Sequence, residues 1–125
     1  MRPMILVAAA LSVASCSRPA LPPGAAFAEE TAGRVAQSPK TCVSTFGSEN
    51  LRALDRATLA YGHGQTLYIN HLGAECPGLE PLNTLIIDAQ GSQYCRGDRV
   101  RGLEPGGLIP GPTCILGDWV PYTRR

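Results

Sequence analysis

Four cysteines, Cys42, Cys76, Cys95 and Cys114, are spaced through the C-terminal two thirds of this chain with 33, 18 and 18 residues between neighbours. No two of them form a Cys-x-x-Cys pair. Zinc knuckles and thioredoxin-like redox sites both need the close pair, so the spacing disfavours both. No histidine or electropositive helix start adjoins any of the four, which disfavours reactive thiols. The expectation is two disulfides formed in an oxidising compartment. A folded region of residues 41–122 has too little core to be stable on burial alone, and cross-links are the usual remedy. Four cysteines permit three pairings. Chain order favours one. Cys76 precedes a strand-like run, Asn83 to Asp88, and Cys95 ends a return strand beyond the Ala89–Ser92 turn. A hairpin there predicts Cys76–Cys95. Laying the first strand of a small barrel beside its last predicts Cys42–Cys114.

Ahead of this region stands a leader. Met1-Arg2-Pro3-Met4 carries one positive charge, and Ile5 to Ala14 is apolar apart from Ser12. Residues 1–15 therefore read as a signal peptide, too short for a permanent membrane span. The apolar run ends at Val13-Ala14-Ser15-Cys16, an aliphatic residue, two small residues and a thiol. That is the pattern of a bacterial lipobox, and it predicts lipidation of Cys16. Ala26-Phe27-Ala28 offers a rival small-x-small cut, far downstream of the apolar run. By analogy with the enterobacterial sorting rule, Ser17 after the cysteine favours the outer membrane. Residues 16–40 hold Pro19, Pro22-Pro23-Gly24, Glu29-Glu30 and Pro39 without an apolar period. They predict a lipidated flexible tether, with transient helix over Ala25 to Gln37.

Beyond the tether the chain is punctuated by many of its 14 glycines and 11 prolines, which favour short strands and frequent turns. Thr41 to Phe46 reads as a first strand, and Glu49 to Arg56 as one helical turn or a loop. Ala57–Tyr61 and Thr66–Leu72 read as a hairpin across Gly62-His63-Gly64-Gln65. Further strands are expected near Leu85, Tyr94, Val100, Cys114 and Trp119. The expected fold is all-β: a small disulfide-stapled β-barrel or rolled antiparallel sheet of six to seven short strands over residues 41–122. Residues 123–125 are left as a basic tail.

A formal charge of +1 creates no field that would draw nucleic acid or an anionic membrane. His63, His71, Asp55 and Glu75 are the groups from which a metal or acid–base site would be assembled. A turn histidine in solvent is the plainer account, so no catalytic residue, metal or cofactor is expected. No nucleophile elbow or phosphate loop is present. Arg96-Gly97-Asp98 reads as a Gly-Asp turn. Arg96, Arg99 and Arg101 form a candidate basic face for an anionic glycan or lipid head group, set against a charge-protected edge strand. Trp119 and Tyr122 read as core and rim packing.

The lipobox-like start, Cys76-Pro77-Gly78-Leu79, Cys95-Arg96-Gly97-Asp98 and the late Cys114-Ile115 together resemble a family of small uncharacterised exported proteins of Gram-negative bacteria, over residues 41–121. The resemblance implies export and a cysteine framework, with no activity or ligand attached. Three function classes stand. The favoured one is a non-enzymatic lipoprotein, anchored to the membrane through lipid on Cys16, that binds or supports an envelope protein or glycan. The others are an exported inhibitor or ligand-binding barrel, and a small hydrolase-like enzyme.

Overall fold

The computed structural model describes residue 16, residues 21–22, 24–46 and 50–125. The predicted signal peptide, the lipobox residues before Cys16 and residues 17–20 lie outside them. The described chain is all-β with one short helix, α1 (Ala25–Thr31). Ten short strands make three antiparallel sheets rather than one closed barrel. They are β1 (Arg34–Ala36), β2 (Cys42–Ser44), β3 (Arg52–Asp55), β4 (Thr58–Tyr61), β5 (Thr66–His71), β6 (Thr84–Asp88), β7 (Gln93–Cys95), β8 (Arg99–Leu103), β9 (Cys114–Ile115) and β10 (Trp119–Arg124).

The β4–β5 hairpin is the centre of the largest sheet. Gly62 and Gly64 turn it with φ of 83° and 81°, a region that residues with a Cβ rarely enter. β10 returns from the C-terminus to pair with β5, β1 adds beside β10, and β3 adds beside β4, giving the order β1-β10-β5-β4-β3. The second sheet is β6-β8-β9, and β2 pairs with β7 as a two-stranded ribbon. Lys40 bridges Trp119 just before β2 begins, so the start of the ribbon is tied to the large sheet.

Both faces of the large sheet are apolar. Leu59, Tyr61 and Trp119 point into the main core, with Val43, Leu79, Val100 and Leu116 from the other two sheets. Ala60, Leu67 and Ile69 point the other way and pack with Leu54, Ala26, Phe27 and Tyr122. All four residues of β4 are buried. Among the described residues the Asn70 side chain is fully enclosed, and it is satisfied. Its amide donates to Gly117 O and accepts from Gly117 N, both at 2.8 Å, pinning the β9–β10 connection to β5.

Four expectations need correction. The disulfides are Cys42–Cys95 and Cys76–Cys114, not Cys76–Cys95 and Cys42–Cys114. The reason is sheet assignment: β6 and β7 are not a hairpin, because β6 pairs with β8 and β7 pairs with β2. Cys42 and Cys95 are register partners, so their bridge crosses the ribbon. The second bridge fastens the Cys76–Leu79 loop to β9. Second, residues 24–40 are not all tether: α1 and β1 belong to the domain, since the second face of the sheet needs a cover. Third, residues 123–125 are not a free tail, because Thr123 and Arg124 pair with β5 and β1. Fourth, Arg99–Leu103 is not an edge strand, lying instead between β6 and β9.

Candidate functional site

Two clefts flank α1, and together they combine apolar and charged side chains. Gly24 starts the helix with φ 79°, and no side chain caps its N-terminus. A helix of seven residues has little stability of its own, so tertiary contacts must hold it. Phe27 supplies one anchor: its ring meets His71 edge-on at 5.2 Å and Tyr122 at 5.9 Å. Glu30 supplies the other. Arg52 Nε and Nη2 donate to its two carboxylate oxygens at 2.9 and 2.7 Å, a parallel fork that fixes orientation as well as distance. The remaining nitrogen of Arg52 donates to Asn50 O and Gly62 O. The hydrogen bonds from Arg52 hold the Glu30 carboxyl below the usual carboxylate range, against the opposing effect of its partial burial.

On one side of α1 a cleft of about 540 Å³ opens between the helix start, β3 and the 80–81 turn, lined by Leu21, Pro22, Ala26, Leu54 and Pro81 among others. Its walls are mainly apolar. On the other side a second cleft, also about 540 Å³, is polar and lined by Glu29, Glu30, Arg34, His63 and Arg124. Backbone carbonyls orient its cations: Arg34 donates to Gln65 O and Tyr122 O, and Arg124 donates to Gly64 O. Such an arrangement offers complementarity of charge and shape. It does not assemble a nucleophile with a base, and no group of three metal-ligating side chains occurs among the described residues.

The sequence-predicted residues are dispersed. His63 is exposed at the rim of the polar cleft, while His71 lies at the far end of β5 under Phe27, with its Nδ1 3.5 Å from Thr58 Oγ1. Asp55 is spent locally, accepting from Ala57 N at 2.8 Å. Asp98 accepts from Cys95 N, also at 2.8 Å, which makes Arg96-Gly97-Asp98 a side-chain-closed turn. Each candidate arginine faces a carboxylate: Arg96 meets Asp118 at 3.5 Å, and Arg99 and Arg101 both approach Asp88 at 3.6 Å. The three line neither cleft beside α1. Trp119 is fully buried against Tyr61 and Tyr94, as core packing requires, and Tyr122 backs Phe27. Cys16 is exposed and is the one cysteine among the described residues outside a disulfide.

Phe27, Glu30, Arg34 and Arg52 were not singled out from sequence. A signal for them existed in Leu59-Ala60-Tyr61 and Leu67-Tyr68-Ile69, which are apolar on both faces and so require a cover on each.

Comparison with protein-family models, curated proteins and solved structures gives no match. What fold and disulfides define is a small, cross-linked, all-β domain suited to an oxidising, exported compartment. No helix of the described residues is long and apolar enough to cross a membrane.

Proposed function

We propose that this chain is an envelope lipoprotein, anchored at the outer membrane through Cys16, that binds a partner in the periplasm and carries out no chemistry of its own. One observation carries the reading. The domain uses all four of its cysteines in disulfides, and the fifth stands exposed ahead of it, where the leader pattern ends. The position of Phe27 supports cleavage before Cys16 over the rival cut. A cut after Ala28 would strip Phe27 from Leu54, Leu67 and Ile69, leaving one face of the central sheet uncovered. The partner surface in this reading is the pair of clefts beside α1, one apolar and one mixed in charge.

The test is Cys16→Ser in the native host. Release from membranes, or accumulation of the unprocessed precursor, is the expected outcome. Equal membrane retention and identical mature mass for the two proteins would refute lipidation. A mature chain beginning at Glu29 would establish the other cut. Photocrosslinking from Ala26, compared with Gln90 on a distant turn, then reads the partner surface.

A further inference from the structure

The end of the β6–β8 sheet carries an apolar tip. Thr84 pairs with Leu103, so the turn before β6 and the loop after β8 emerge side by side. Leu82 projects from the first, and Leu108 and Ile109 from the second. They are 85%, 93% and 87% exposed, more than any other large apolar side chain described. Loop tips of soluble domains seldom carry aliphatic residues so open to water, and a cluster of them marks a contact surface. The two loops are neighbours in space: Leu82, Asn83, Glu104 and Pro105 line one shallow depression, and Asn83, Glu104 and Ile109 share the next.

The N-terminal entry of the chain lies at the same end. Leu21, itself 68% exposed, shares its cleft with Glu80 and Pro81, the residues just before Leu82. Only four residues lie between Cys16 and Leu21, and the five fully extended steps from one to the other span about 18 Å. A lipid on Cys16 therefore holds Leu21, and with it this end of the domain, within reach of the bilayer surface. We infer that Leu82, Leu108 and Ile109 form a docking tip that inserts into the membrane interface, so that the anchored domain sits against the bilayer with its α1 clefts displayed in a set orientation. The inference rests on the lipid-anchor reading for its geometry. The charges suit a zwitterionic lipid: Glu80 is paired with Arg56, and Glu104 adds a carboxylate that an anionic surface would repel. The attraction is apolar, with each aliphatic side chain adding about tenfold to partitioning.

The experiment uses the full mature chain on phosphatidylcholine vesicles brominated near the top of one acyl chain, which quench tryptophan on contact. Trp119 is fully buried and gives a protected background. Leu82→Trp and Ile109→Trp are the probes, with Phe46→Trp as an exposed site away from the tip; unchanged unfolding midpoints establish that each folds. Mass and co-flotation report the lipid anchor separately. Quenching of the two tip probes but not of Phe46→Trp is expected, together with loss of Ile109→Trp quenching on adding Leu82→Asp and Leu108→Asp. A protein that co-floats with no tip quenching overturns the docking while leaving the anchor intact. Should mass show no lipid, titration of the same chain with vesicles to millimolar lipid decides: quenching at the tip supports docking, and its absence overturns it. Self-association lost in Leu82→Asp, without quenching, overturns it in favour of a second copy of this chain.

Discussion

Gly102 in the middle of β8 is the position where a single methyl group does most harm. A Cβ there would lie 1.6 Å from Gly78 O and 2.5 Å from Gly78 C. These are backbone atoms, so no side-chain rotation relieves the clash. The Cys76–Leu79 loop would have to retreat by roughly 1.5 Å or more to reach ordinary contact distance. That loop is held from three directions. Cys76 is bonded to Cys114, Leu79 is fully buried, and Gly78 O accepts a hydrogen bond from Asn83 Nδ2 at 3.0 Å. Gly111 packs against the same crossing and donates to Gly102 O at 2.8 Å. Overpacking costs about 1–3 kcal/mol, and loss of the Asn83 bond adds about 1 kcal/mol. We expect Gly102→Ala to destabilise by about 3 kcal/mol, lowering Tm by about 12 °C or more for a domain of this size. Gly73→Ala is the matched control, because nothing lies within 4 Å of its added Cβ. Urea unfolding of both variants with disulfides intact reads the difference. A Gly102→Ala protein within about 0.5 kcal/mol of wild type would falsify the close crossing of loop and strand.

Each disulfide closes a long loop, 53 residues apart for Cys42–Cys95 and 38 for Cys76–Cys114, and the chain-entropy model assigns about 4 kcal/mol to either. Paired alanine substitutions at either bridge should therefore cost comparable amounts in denaturant melts, and non-reducing peptide mapping should recover these two cross-links and no others. Because hydrogen bonding to Arg52 lowers the Glu30 carboxyl, its contribution is fully present above the ordinary carboxylate range and is lost as pH falls through the lowered value. Glu30→Gln should cost about 1 kcal/mol at neutral pH and flatten the stability profile below about pH 4.5, as read by melts across an acid series. Phe27→Ala should cost about 2 kcal/mol for a half-buried ring and raise amide exchange in α1 and β1 well before the main core. Equal protection of α1 in that variant would show that the ring is not its anchor.

Most local features of this protein were legible in its sequence, although Glu49–Arg56, which reads as one helical turn or a loop, holds strand β3. Strand-like runs on either side of Gly62 and Gly64 specify the central hairpin, and Gly97-Asp98 specifies a turn, because both depend on neighbours a few residues away. The all-β class follows for the same reason, and the two-disulfide count follows from four cysteines with no Cys-x-x-Cys pair. Which strand pairs with which was not legible. The run containing Leu85 and Ile87 suits a return hairpin with Tyr94 as well as it suits β8, and the choice is made by how Val100 and Leu79 fill the core beside Trp119. That choice moved Cys95 beside Cys42 and left Cys76 to Cys114. The Ala25–Ala36 segment was hidden differently. Its composition is that of a linker, and its order comes from Phe27 and from the Glu30–Arg52 pair meeting a sheet face that only the folded domain presents. The clefts beside α1, and the meeting of the turn before β6 with the loop after β8, likewise arise between elements distant in sequence. Short-range chemistry determined most of the strands and turns, and long-range packing decided their partners, the order of α1 and β1, and the surfaces they leave open.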